Sequence, residues 1–143
     1  MDSAQRLADV LGQVLAVGVE DDGALTVRHD GTFASFRTVM IADGLEMISL
    51  TQMLAWDLTP DAELRKSVAA LTARTMLGTV TLVENPTDAG NGERADVVLR
   101  YNFPAAGLEE PALRTLVMMV LAAGADVRRA LPDERLCLTS DSA

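Results

Sequence analysis

The sequence predicts one α+β domain, in which a single antiparallel sheet carries helices on one of its faces. Apolar residues recur at helical spacing near both ends of the 143-residue chain. Between them, apolar and polar residues alternate over several short segments, a pattern typical of half-buried strands. Two Asp-Gly pairs separate these segments, and such pairs favour tight antiparallel hairpins. The predicted order is helix, three strands, helix, two strands, helix.

The first helix is predicted over Ser3 to Val17. Asp2 or Ser3 supplies a side-chain oxygen for its N-cap. Gly18 and the acidic residues after it end the helix. Its apolar stripe comprises Leu7, Val10, Leu11, Val14 and Leu15.

Three strands follow, joined by two predicted hairpin turns. The first begins at Ala24 and turns at Asp30-Gly31 into a second strand over Thr32 to Ile41. The second pair, Asp43-Gly44, leads into a third strand over Glu46 to Trp56. Asp and Gly tolerate the positive φ that tight hairpin turns require.

The second helix is predicted to start at Thr59-Pro60-Asp61, with Thr59 as the cap and Pro60 at the first helical position. Gly78 is expected to terminate it. A fourth strand is predicted over Thr79 to Glu84.

The last third of the chain predicts a loop, a strand and a long helix. Asn85 to Arg94 contains Asn-Pro and Gly-Asn-Gly and predicts a mobile loop. Asp96 to Phe103 alternates as a fifth strand, and Pro104 stops it. The last helix begins at Glu109-Glu110-Pro111 and runs to about Ala130. Its main stripe comprises Leu113, Leu116, Val117, Val120 and Val127.

The composition is that of a globular protein, with 49% hydrophobic and 23% charged residues. Aromatic residues make up only 3%, so a mostly aliphatic core with some of the seven methionines is expected. We expect one domain over residues 1–134 and a flexible tail over residues 135–143.

The net charge of −9 disfavours nucleic acid and anionic membranes as partners. The charge either serves solubility alone or attracts basic and mixed-charge polypeptides. The single cysteine, Cys137, has no internal partner, which fits a reducing cytoplasm. The N-terminus does not read as a signal peptide, and the apolar runs are too short to span a membrane.

No motif points to catalysis, a metal site or a cofactor. The only histidine, His29, lies beside a predicted turn, where a surface role is the simpler interpretation. The paired carboxylates, such as Asp21-Asp22, lack the ligand number of a calcium loop. We therefore expect no catalytic residues, no metal ligands and no cofactor.

Surplus apolar surface is the more informative feature. If Ile48, Leu50, Leu54 and Trp56 of the third strand face the helices, then Met47 and Met53 point outward. The last helix has a second apolar stripe that includes Met118 and Met119. These methionines are either ordinary core residues or part of an interface. The candidate partner-binding residues are Met47, Met53, Met118 and Met119, with Phe33 and Val39 on a face that the pattern leaves ambiguous.

The element order, size and acidic balance resemble the YbjN family, which is related to the class I type III secretion chaperone fold. The matching pieces are the strand Thr32 to Ile41 with its Asp43-Gly44 hairpin, the helix from Thr59-Pro60, and Val97 to Pro104 before an acidic helix start. The resemblance covers most of the span from Leu7 to Leu131 and implies a cytoplasmic, non-catalytic protein-binding module that forms a homodimer.

Three functions compete at this stage. The first is a chaperone-like or adaptor protein that binds an extended or partly unfolded segment of another polypeptide. The second is a small-molecule-binding regulator with a cavity between the sheet and the terminal helix, to which Trp56, Arg100 and Tyr101 contribute. The third, an enzyme, is the least favoured, because it would need ionisable groups that converge in one cleft.

Overall fold

The computed structural model describes residues 3–86 and 93–132. The helices are α1 (Ser3–Gly12), α2 (Ala62–Arg74) and α3 (Glu110–Ala130). The strands are β1 (Val17–Val19), β2 (Leu25–His29), β3 (Thr32–Ala42), β4 (Leu45–Leu58), β5 (Thr79–Pro86) and β6 (Glu93–Pro104). The predicted order of elements is confirmed, and the short strand β1 is added to it.

The six strands form one antiparallel sheet in the order β1-β2-β3-β4-β6-β5. β4 is the longest strand, with 14 residues, and it pairs with β3 on one side and β6 on the other. All three helices share a single hydrophobic core with one face of the sheet. The predicted fold class, an α+β domain with helices on one sheet face, is therefore confirmed.

The core is mostly aliphatic, as the composition predicts. The sheet contributes large, fully buried side chains to the core, among them Phe36, Ile48, Leu50, Leu54 and Leu99. The helices contribute Leu7 and Leu11 from α1, Leu64 and Val68 from α2, and Leu113, Val117 and Leu121 from α3.

The hairpin between β2 and β3 has the predicted tight turn. Asp30 has φ +46° and Gly31 has φ +81°, so both central residues are left-handed. The hairpin between β3 and β4 differs, because only Gly44 of the Asp43-Gly44 pair has positive φ. A register shift between Met40 and Ala42 accompanies that turn.

Both of the first two helices depart from their predicted ends. α1 stops at Gly12 rather than at Val17, and Val17 instead pairs with Val27 as the start of β1. α2 is capped by Asp61 and not by Thr59, because the Asp61 carboxylate accepts a hydrogen bond of 2.8 Å from the Leu64 amide.

Trp56 is not buried, contrary to the prediction that it packs with Ile48, Leu50 and Leu54. Register shifts between Met53 and Ala55 and between Ala55 and Leu58 interrupt the alternation of β4. The alternation that buries Ile48, Leu50 and Leu54 is therefore lost beyond the first bulge, and the Trp56 side chain is 50% exposed.

Two predictions fall partly or wholly on residues outside the described ranges. The predicted loop over Asn85 to Arg94 is wrong at both ends, because Asn85, Pro86, Glu93 and Arg94 pair in the β5–β6 ladder, and residues 87–92 lie outside the described ranges. The predicted tail, residues 135–143, also lies outside it. Among the described residues, no helix combines the length and apolar character needed to cross a bilayer.

Candidate functional site

The face of the sheet opposite the helices, called the open face below, carries the candidate site. On β3 and β4 the buried residues alternate with residues that point to this face. The strand register aligns these outward residues into four rows that cross the sheet. The rows differ in chemistry, and this difference defines the site.

The first and last rows are apolar at their centre. In the first, Phe33 pairs with Met53, which pairs with Val98. In the last, Val39 pairs with Met47, which pairs with Pro104. Phe33 is 36% exposed and Val39 is 45% exposed, whereas Met47 and Met53 are half-buried. The open face therefore presents two separate apolar rows.

The two middle rows are polar and carry positive charge. One consists of Thr26, Ser35, Thr51, Arg100 and Thr79. The other consists of Arg37, Ser49 and Asn102. With Arg28 at the end of the first apolar row, the four rows hold three arginines and no aspartate or glutamate, in a chain whose net charge is −9.

A carboxylate from the loop before β2 reaches this surface. An oxygen of Asp22 accepts a hydrogen bond of 2.6 Å from the Arg37 guanidinium, and the other oxygen accepts one of 3.0 Å from the Ala24 amide. The Ala24 amide, followed by Arg37, lowers the pKa of Asp22. Both side chains of this ion pair are about half exposed, so solvent screens it.

Two shallow grooves meet at Phe33. One, of about 330 Å³, runs between Phe33, Arg28 and the residues of β1 around Val17. The other, of about 410 Å³, lies between Phe33 and the acidic loop that includes Asp22. The exposed part of the Phe33 ring is thus available to an apolar side chain that enters either groove.

The tip of the β3–β4 hairpin extends the last apolar row. Met40 and Ile41 are 62% and 61% exposed, and Leu45 is 42% exposed. Large apolar side chains that cluster on the surface mark interaction sites. Met40, Ile41 and Leu45 were not among the predicted contact residues, although the apolar run from Val39 to Ile41 before an Asp-Gly turn was a signal for them.

The structure brings together four of the six predicted partner-binding residues. Phe33, Val39, Met47 and Met53 share the open face. Met118 and Met119 lie apart from them on α3, on the helical side of the sheet. Met119 is 51% exposed, and Met118 packs partly against the core.

Beneath the open face, the contact between β4 and α3 contains polar groups that the sequence analysis did not identify. Gln52 is fully buried and donates hydrogen bonds to the Thr32 hydroxyl (2.8 Å) and the Leu121 carbonyl (3.1 Å). Its side-chain oxygen has no hydrogen-bond partner among the described residues. That oxygen faces Gly124, where an added Cβ would lie only 2.0 Å from it.

Arg128, one turn further along α3, is also buried. It is 2% exposed, and it donates a hydrogen bond of 2.7 Å to the Leu54 carbonyl. Its guanidinium lies 5.8 Å from the centre of the Trp56 ring. Burial lowers the pKa of this guanidinium, because the charged form loses hydration.

These contacts count against the predicted cavity between the sheet and α3. At Gly124 the helix backbone approaches Gln52 so closely that no side chain fits between them. The three residues assigned to the cavity also do not meet. Tyr101 points to the core side, where it stacks on Phe103, Arg100 lies on the open face, and Trp56 is half exposed.

His29 has one carboxylate nearby. Its Nε2 lies 3.7 Å from the Asp30 carboxylate, at the β2–β3 turn. Within residues 3–86 and 93–132, no group of three or more His, Cys, Asp or Glu side chains is arranged to hold a metal ion.

Comparison with known proteins identifies the fold. No protein-family profile matches the chain, and no curated protein matches it by sequence. Among solved structures, the crystal structure of YbjN from E. coli, described as a candidate transcription regulator, superimposes with a TM-score of 0.54 at 16% identity. The match covers 89% of this chain and 87% of that chain. The predicted resemblance is therefore confirmed at the level of the fold, which is YbjN-like.

Proposed function

We propose that this protein is a non-catalytic binding module that holds an extended or partly unfolded segment of another polypeptide on the open face of its sheet. The observation that carries the proposal is the set of four apolar side chains, Phe33, Val39, Met47 and Met53, that the strand register places on one face, which no helix among the described residues covers. Methionine adapts its shape to different contacts, which suits a surface that receives varied segments.

The apolar tip of the β3–β4 hairpin supports the same interpretation. Met40, Ile41 and Leu45 expose apolar area that the fold of a single chain leaves in water. Covering such side chains contributes roughly 25 cal/mol per Å² of apolar area removed from water. A partner that spans the open face and the tip would gain from both surfaces.

A regulatory role for this protein agrees with the binding proposal when regulation works through contacts with another protein. The structural neighbour from E. coli is described as a candidate transcription regulator. The net charge of −9 opposes direct contact with a phosphate backbone. We therefore propose that any regulatory effect of this chain passes through a bound polypeptide.

The proposal also includes a cytoplasmic homodimer. The lone Cys137 suits a reducing compartment, and the exposed apolar tip offers area for a second copy. Light scattering on a size-exclusion column tests the dimer, since a mass of 15.2 kDa at all concentrations would remove it from the proposal.

The binding proposal predicts a large effect of polar substitutions on the open face. The probe is an unfolded reference protein whose cysteines are reduced and alkylated. We expect the double variant Phe33→Ser, Met53→Ser to bind it about ten-fold more weakly than the wild type, because two apolar contacts are lost. Fluorescence anisotropy of the labelled probe measures the affinity.

Met119→Ser is the control, because Met119 presents an apolar side chain, 51% exposed, from α3 and away from the open face. It should leave the affinity unchanged. Circular dichroism of all variants establishes that the fold is intact. Equal losses in the control and the double variant, or no binding by the wild type, would contradict the proposal.

A further inference from the structure

We infer that the open face selects an amphipathic helical segment with apolar side chains towards its two ends and carboxylates at its centre. This inference rests on the proposed function: a partly unfolded segment forms a helix when it lies on the open face, and the inference names the side-chain pattern that the face fits. Its basis is the order of the four rows along the strands. Two polar rows, one with Arg100 and one with Arg37, lie between two apolar rows.

The four rows are richer in positive charge than the chain as a whole, although Glu20, Asp21 and Asp22 line the groove beside Phe33 and Arg37 at one edge of the face. The four rows carry Arg28, Arg37 and Arg100 and no carboxylate, whereas the chain has 21 acidic and 12 basic residues. Hydroxyl and amide groups, such as those of Ser49 and Asn102, surround the two central arginines and can donate hydrogen bonds to an anion. A carboxylate above the middle rows would therefore find charge and hydrogen-bond partners together.

The spacing of the apolar rows sets the length of the segment. Phe33 and Val39 lie on the same strand, and at about 3.3 Å per residue their rows are about 20 Å apart. A helix covers that distance in about 13 residues. Its central turn would then lie over Arg37 and Arg100.

A helical partner can also bind this face without backbone hydrogen bonds to the sheet. The strands that carry the middle rows are already paired on both sides, so they cannot form ladder hydrogen bonds with a segment that lies on the face. A helix pairs its own backbone groups and needs only side-chain contacts. The other face of the sheet is covered by helices in this way.

Asp22 acts in this scheme as an internal competitor. Its carboxylate holds Arg37 at 2.6 Å while the face is empty, and both side chains are about half exposed. A carboxylate of the partner can replace it, because the pair lies at the surface and is weakly held. Asp22 therefore reduces the affinity for acidic segments that compete for Arg37.

The test uses three helix-forming peptides of about 18 residues that are identical except at two central positions on the apolar face. These positions hold Glu, Gln or Lys between terminal leucines. We expect the wild type to bind the Glu peptide about five-fold more tightly than the Gln peptide and to bind the Lys peptide most weakly. The preference should diminish as the salt concentration rises.

Variants locate the preference. Arg37→Gln combined with Arg100→Gln should make the Glu and Gln peptides bind equally, whereas Arg74→Gln on α2 removes the same type of charge away from the face and should preserve the difference. Asp22→Asn keeps an oxygen for the Ala24 amide but frees Arg37, so it should strengthen binding of the Glu peptide about two- to five-fold.

The outcomes separate this inference from the proposed function. If the three peptides bind with equal affinity and all are weakened by Phe33→Ser with Met53→Ser, the open face binds polypeptides but does not select carboxylates, and the inference is wrong. If no peptide depends on Phe33 and Met53 but the unfolded reference protein does, the inference is wrong and the proposed function stands; if neither depends on them, the proposed function itself fails. An unchanged affinity of Asp22→Asn for the Glu peptide overturns the competitor role of Asp22.

Discussion

Replacing Gly124 with alanine is expected to lower the free energy of unfolding by roughly 2 to 4 kcal/mol. The new Cβ would lie 2.0 Å from the Gln52 side-chain oxygen and 2.4 Å from its Cδ. Gln52 is fully buried and held by two hydrogen bonds, so it cannot move aside without losing them. Denaturation by urea, followed by circular dichroism, measures the loss.

The control for this substitution is Gly12→Ala at the end of α1. No atom of the described residues lies within 4 Å of a Cβ placed there, so we expect no loss and a gain of up to about 1 kcal/mol. Gln52→Ala should restore room for the methyl group that Gly124→Ala introduces. The double variant should then be less destabilised than the sum of its single changes. Equal stabilities of Gly124→Ala and the wild type would show that α3 and β4 are further apart than described.

Gly31→Ala is expected to be the second costly change, with a loss of about 3 kcal/mol that has two sources. The backbone has φ +81°, which costs a residue with a Cβ about 1–2 kcal/mol. The Cβ would also lie 2.8 Å from the buried Nε of Arg128, which adds about 1–3 kcal/mol. Urea denaturation measures this loss as well.

Gly44→Ala separates the two effects. Gly44 has nearly the same φ, +78°, but a Cβ there meets nothing within 4 Å among the described residues. It should therefore show only the backbone cost of about 1–2 kcal/mol. The excess loss at Gly31 should disappear when both variants are compared in an Arg128→Ala background. Equal losses at the two glycines in the wild-type background would argue against the Arg128 contact.

Local patterns were sufficient to predict most of the fold. The alternation in β3 and β6 and the Asp30-Gly31 turn each depend on residues close in sequence, and all are found. The sharing of one face by Met47 and Met53 follows from the same period of two. Phe33 and Val39 align with these methionines because of the register in which β3 pairs with β4. The Asp43-Gly44 turn alone does not determine that register, because a bulge between Met40 and Ala42 shifts it.

Long-range packing accounts for what the sequence did not predict. The bulges in β4 that expose Trp56 depend on its pairing with β6, which lies far along the chain. Gln52 interrupts the apolar alternation of β4, but its partners, Thr32 and Leu121, come from two other elements. The positive charge of the middle rows could not be predicted either, because Arg37 and Arg100 come to lie in adjacent rows on either side of β4 only when the sheet forms.

The most direct test of the central claim is to map the surface that a bound segment touches. Amide NMR signals of the protein would be recorded while the peptide with central glutamates is added. The open-face account predicts that the largest shifts occur at Phe33, Thr51 and Arg100, with little change at Met119 on α3. Shifts concentrated on α3, with the signals of these three residues unmoved, would contradict it.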